Sequence, residues 1–176
     1  MICASLFRYS RPSLLLAAFS LLLLGCDSGP TGQDDSPDSP SAGTFNANVT
    51  GHVTTTFSGE ANSVRGGSGG WGISLGTGAP PFIAITTLEN ERPAVGTYPI
   101  VEAVLAPGTP GTAFFASFVS DPAVGSYTST SGTLTIQSSS ASSVVGSFTF
   151  QGQRGTVGNP LIVNVQGTFN TTNRGG

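Results

Sequence analysis

From Phe45 onward the chain alternates. Phe45, Ala47, Val49, Gly51, Val53, Thr55 and Phe57 are apolar or small, and Asn46, Asn48, Thr50, His52, Thr54 and Thr56 between them are polar. Successive side chains of a strand point to opposite faces, so this pattern turns one face to a core and the other to water. It reads as one long strand. Trp71, Ile73 and Leu75 alternate again after a Gly-rich turn. The nearly continuous run from Phe82 to Leu88 predicts a strand covered on both faces. Tyr98, Ile100, Glu102 and Val104 give another alternation, and further strands are expected at 113–120, 126–129, 132–138, 143–151 and 161–170. Turn residues separate these runs. The expected fold is all-β, an antiparallel β-sandwich or open barrel of about 8–9 strands, over residues 44–172.

Composition agrees. The chain has 25 Gly and 12 Pro and is only 9% charged. Gly, Thr and Val suit short strands joined by tight turns. The one stretch of strong helix formers lies near the N-terminus, at residues 14–24.

That stretch has a different meaning. Arg8 and Arg11 precede an apolar run from Leu14 to Leu24. Eleven helical residues span only ~16 Å, about half a hydrocarbon core, so the run fits a signal-peptide core and not a membrane span. It ends in Leu23-Leu24-Gly25-Cys26. This resembles the lipobox of bacterial lipoproteins, in which a small residue precedes an obligatory Cys. The resemblance implies a signal peptide over 1–25, cleavage between Gly25 and Cys26, and a diacylglycerol thioether on Cys26, usually followed by acylation of the new amine. The implied partner is therefore a membrane, reached through lipid on Cys26, in the bacterial cell envelope. Asp27 follows the lipidated residue. It resembles an inner-membrane retention signal in one lipoprotein sorting scheme and a surface-export signal in another; an outer-membrane, periplasmic or surface face is favoured here.

Cleavage would leave 151 residues with four Arg, no Lys and nine acidic residues, a balance of −5. Four of the acids (Asp27, Asp34, Asp35, Asp38) lie in residues 27–43, a Pro-, Ser- and Gly-rich segment without a large apolar side chain. Such a segment cannot offset its ordering entropy and reads as a disordered tether. The rest is nearly neutral, at −1. Nucleic-acid binding needs a basic face, and no such face is present. Nor is there a polybasic patch for anionic lipid. Cys3 leaves with the signal and Cys26 carries lipid, so the β-domain has neither thiol nor disulfide.

Motifs for chemistry are weak. Residues 66–70 read Gly-Gly-Ser-Gly-Gly, which formally fits G-x-S-x-G, but a nucleophile elbow needs a helix next and Trp71-Gly72-Ile73 reads as strand. The overlapping G-x-G-x-x-G match over 67–72 lacks its βαβ setting. His52 is the sole His and is expected to point outward, solvated. One His without Cys makes no zinc site, and the spacing of Asp34, Asp35 and Asp38 does not fit a calcium loop. Glu89, Glu91 and Arg92 share one turn and read as solvated charges, since glycosidase carboxylates face each other across a cleft. No catalytic residue, metal site or cofactor is expected.

Three aromatics are candidates for ligand contact. Trp71 beside the Gly-rich loop fits either a sugar-stacking platform or a core anchor, and core is favoured. Tyr98 and Tyr127 end an internal echo, Pro93-Ala94-Val95-Gly96-Thr97-Tyr98 and Pro122-Ala123-Val124-Gly125-Ser126-Tyr127. This reads as two equivalent turn-to-strand junctions before it reads as a ligand pair.

The Gly-Thr-Leu and Gly-Thr-Phe strings near 132–134 and 167–169, with Gly96-Thr97-Tyr98, resemble the C-terminal β-domain of a group of uncharacterised bacterial lipoproteins. The resemblance covers roughly 44–170 and brings no functional residue with it. The expected role is a non-enzymatic, membrane-anchored binding or display module, for an envelope protein or glycan. A structural or assembly accessory docking through a sheet edge is the alternative, and a hydrolase ranks last.

Overall fold

The computed structural model describes residues 40–65, 70–102, 112–156 and 158–173. The expected signal segment, Cys26 and the tether as far as residue 39 lie outside the described residues.

Ten strands make up the described fold: β1 (Thr44–Gly51), β2 (Thr55–Arg65), β3 (Trp71–Leu75), β4 (Phe82–Thr87), β5 (Gly96–Val101), β6 (Phe114–Val119), β7 (Ser126–Ser139), β8 (Val144–Thr156), β9 (Asn159–Asn170) and β10 (Thr172–Asn173). No helix occurs among the described residues. The fold is all-β, as the alternation requires. Of the two expected forms, the single sheet fits the barrel and not the sandwich. The strands form one sheet in the order β1-β9-β8-β7-β5-β6-β4-β3-β2, and β1 pairs with β2 as well as with β9. The sheet therefore closes into a barrel. β10 lies outside the ring, parallel to β2.

The long first strand expected over 45–57 is two strands. β1 turns back at residues 52–54 and pairs antiparallel with β2, with Ala47 opposite Phe57 and Val49 opposite Thr55. The turn preserves the two-residue parity, so the sequence pattern runs through it unbroken. Gly51 starts the reversal at φ +111, and a Cβ there would lie 2.6 Å from the Ile162 carbonyl oxygen. Only Gly fits that close approach.

Two further expectations change. The run Phe82–Leu88 is covered on one face: Ile83, Ile85 and Thr87 are buried while Phe82 and Ala84 are half-buried and Thr86 is exposed. The predicted strands 126–129 and 132–138 are one strand, β7, with register shifts at Ser129/Ser131 and Ile136/Ser138. Bulges of this kind bend a strand and sharpen its twist, which closure of a barrel demands.

The inward residues form one core cluster, including Phe45, Val49, Ile73, Leu75, Ile83, Ile85, Phe118, Leu134, Val165 and Phe169. Three inward glycines sit directly opposite phenylalanines: Gly132 with Phe150, Gly146 with Phe169 and Gly167 with Phe148. A Cβ on these glycines would lie 2.6 Å from Phe150 Cβ, 2.9 Å from Phe169 Cζ and 2.7 Å from Phe148 Cζ. Each ring thus occupies the space its partner leaves empty, which lets large rings fill a narrow interior at high packing density.

Pro40 to Gly43, which the sequence places in the tether, belong to the barrel. Gly43 N–H donates to the Asn170 carbonyl at 2.7 Å, Gly43 O accepts from Ala61 N–H at 2.8 Å, and Pro40 O accepts from the Asn170 amide at 3.2 Å. Thr171, fully buried, locks the same end. Its hydroxyl accepts Val144 N–H at 3.0 Å and lies 3.2 Å from Val144 O and 3.3 Å from Ser63 Oγ.

Candidate functional site

β2, β1, β9, β8 and β7 are consecutive around the ring, and their outward side chains fall into registered rows. One row is Thr56, Asn48, Gln166, Thr149 and Thr133, each directly opposite the next. The next is Ser58, Asn46, Thr168, Ser147 and Thr135. The rows lie two residues apart along each strand, about 7 Å. Between them runs the inward row containing Ala47, Gly167 and Phe148. The side chains of that row turn into the core, so only strand backbone separates the two rows on the outer face.

The result is an open groove of about 490 Å³ running across the strands. Its walls are the polar rows, except that Ser58 does not line it, and its floor is Ala47, Gly167 and Phe148. A smaller hollow of about 80 Å³ continues it past Asn48 and Gln166 to Thr50 and Asn164. No Asp, Glu, Lys, Arg or His lines either space. Among the described residues the one side-chain hydrogen bond within the two rows runs from Thr56 Oγ1 to Asn48 Oδ1, at 3.3 Å. The remaining hydroxyls and amides keep their donors and acceptors for solvent or a ligand. Hydroxyl and primary amide groups both donate and accept, so the walls suit an uncharged partner rich in the same groups.

The aromatics singled out from the sequence lie elsewhere. Trp71 is 4% exposed and meets Phe114 edge to face, with ring centroids 6.4 Å apart. It is a core anchor, not a platform. Tyr127 is fully buried, stacked on Phe118 at 6.0 Å. Burial removes both as ligand-contact residues. Tyr98 is half-buried against Phe114 and donates its hydroxyl to Ala94 O at 2.8 Å, closing its own turn. The structure does not gather the three into one site. The echo positions do both open strands, β5 and β7, as the turn reading expects.

His52 is exposed, as expected, but has a partner. Its Nδ1 lies 2.6 Å from Tyr127 Oη, and Arg154 covers the other side of that tyrosine with its guanidinium carbon 5.3 Å from the ring centroid. The pair fastens the β1–β2 turn to the barrel wall. Among the described residues no three His, Cys, Asp or Glu side chains come together as a metal site. Glu89 and Glu91 stand exposed in the loop after β4. Residues 66–69 of the Gly-rich loop lie outside the described residues. Gly70 N–H donates to Asn90 Oδ1 at 2.6 Å, and strand β3 follows where a nucleophile elbow would require a helix. Gly25 and Cys26 also lie outside the described residues.

Sequence reasoning missed the groove. Its residues read simply as the polar half of four strands, and the signal available was their chemistry: Asn, Gln, Thr and Ser without a single charge. Comparison of the chain with protein-family models, with curated proteins and with solved structures finds no match.

Proposed function

We propose that this chain is a lipoprotein of the bacterial cell envelope whose barrel is a non-enzymatic binding module, presenting its outer groove to an envelope ligand. The anchor is lipid on Cys26, supported by the Leu23-Leu24-Gly25-Cys26 sequence behind an eleven-residue apolar run. Two or more acyl chains hold a protein stably at a membrane without basic side chains to help, and this domain has few. The observation that carries the binding role is the groove, a concave space of about 490 Å³ with convergent polar groups and no titratable side chain. Its size falls within the range of ligand sites, and its walls hold hydroxyls but no acid or base to activate them.

Docking through a sheet edge needs an unpaired strand. Among the described strands, β1 to β9 each pair with a strand on both sides over part of their length, and the stretches paired on one side only are short, such as Thr55–Gly59 of β2 and Gly96–Pro99 of β5.

The test uses the mature chain with Cys26→Ser, so that lipid does not dominate the result. Incubated with isolated, detergent-stripped envelopes, it is expected to co-sediment. A Gln166→Ala/Asn48→Ala variant that melts like the parent is expected to stay in the supernatant. No co-sedimentation, or equal co-sedimentation of the two, overturns the proposal.

A further inference from the structure

We infer that the outer groove takes a linear, neutral glycan lying across the strands. This rests on the groove being the binding surface, as proposed above, and names the chemistry of its ligand.

Four features converge on this class. First, the groove has no formal charge on any lining side chain. An acidic polysaccharide, a nucleic acid or an anionic lipid headgroup would each lose its water there without gaining a cation. Second, both walls are rows of hydroxyls and primary amides, with Gln166 and Asn48 on one and Asn46 and Thr168 on the other. Sugar hydroxyls also donate and accept, so each can pair with such a group directly or through one water. Third, the floor between the rows is strand backbone, because Ala47 and Phe148 turn their side chains into the core, and the threonine methyls that flank it offer apolar contact to the C–H groups of a sugar. Fourth, the shape is a trench and not a pit. Five strands at about 4.8 Å spacing give it a length of about 19 Å, against a wall separation of about 7 Å. A linear ligand crossing the strands can pair with successive residues of both rows, whereas a single small molecule would leave most of it wet.

A protein partner is the weaker match. Protein interfaces centre on exposed Trp, Tyr, Phe, Met or Arg that fill pockets, and the one such residue lining the groove, Phe148, is buried in the core. The exposed large apolar side chains, Val64, Leu88, Val95 and Ile162, all lie outside it.

Affinity electrophoresis of the Cys26→Ser mature chain tests the assignment. The gels contain a neutral polysaccharide (dextran, pullulan, glucomannan or arabinoxylan) or an acidic one (alginate or polygalacturonate). At least one neutral polymer is expected to retard the protein, with little change on adding salt. Gln166→Ala/Asn48→Ala is expected to weaken that retardation about tenfold, as the loss of two hydrogen bonds predicts. Thr149→Trp, which fills the trench, is expected to abolish it, and Leu88→Ser outside the trench to leave it unchanged. All variants are compared at equal melting temperature, since each change is on the outer face. Retardation by acidic polymers only, retardation that the groove variants do not alter, or none with any neutral polymer overturns the inference. If envelope co-sedimentation persists while all neutral polymers fail, the ligand class falls and the binding role stands. If both fail, both fall.

Discussion

Tyr127 shows how one side chain ties a turn to a core. Its ring is buried between Phe118 and the Arg154 guanidinium, and its hydroxyl meets His52 at 2.6 Å. Tyr127→Phe keeps the ring and loses the bond. Because His52 is exposed and can return to water, the expected cost is about 0.5–1.5 kcal/mol. Tyr127→Ala opens a cavity and is expected to cost about 3–5 kcal/mol. Urea denaturation of the two variants separates the contributions. Thr171 is the opposite case, a buried hydroxyl that accepts the Val144 N–H and also meets Ser63 Oγ, which itself donates to Asn173 Oδ1 at 2.7 Å. Thr171→Val leaves Val144 N–H and Ser63 Oγ short of a partner and is expected to cost about 1–3 kcal/mol by the same measurement. Neither role was legible in the sequence. Tyr127 read as a strand opener of open purpose, and Thr171 lay at the end of the expected domain, because each has a partner far off in sequence: His52 lies 75 positions from Tyr127 and Ser63 108 from Thr171.

At the scale of the strand, local pattern and long-range register divide the information. Alternation alone places β3, β6 and β9 to within two residues or so. It fails at residues 52–54, because a turn that preserves parity is invisible to a two-residue period, and it splits β7, because bulges interrupt the period without ending the strand. The Gly–Phe pairs depend wholly on register. Gly146 and Phe169 are both ordinary strand residues in sequence, and only the β8–β9 pairing sets one over the other. Gly146→Ala and Gly167→Ala would drive a methyl into the carbonyls of Thr135 and Asn46 and into the facing rings. Each is expected to lower stability by about 1–3 kcal/mol or more through overpacking. Gly158→Ala is the control for space: its Cβ would meet nothing within 4 Å, although its φ of +101 still strains a side chain. A thermal melt in which Gly146→Ala loses no more than Gly158→Ala would contradict the packing account.

For the whole molecule, closure is the property from which the rest follows. Because β1 pairs on both sides, the ring of β1 to β9 closes and only short stretches of strand, such as Thr55–Gly59, keep an unpaired edge among the described residues. Closure also aligns polar residues from five strands that sequence separates by more than 100 positions into two rows flanking one trench. Chemistry was legible, since Asn, Thr, Ser and Gln fill the polar phase of these strands, but the trench was not, since it exists only once register is set. The proposed address rests on the N-terminal sequence alone. Cys26→Ser in the full chain is expected to lose incorporated radiolabelled palmitate and to leave the membrane fraction; label that persists would contradict the anchor.

The most direct test of a groove-centred binding role is a backbone amide shift map. The isotope-labelled Cys26→Ser mature chain is titrated with the neutral polysaccharide that retards it most, cut to short oligomers. Shift changes are predicted along Asn46–Asn48, Ser147–Thr149 and Gln166–Thr168, with weaker changes at Thr133 and Thr135. Changes centred instead on the loop from Leu88 to Val95, or a spectrum the oligomers leave untouched, would contradict it.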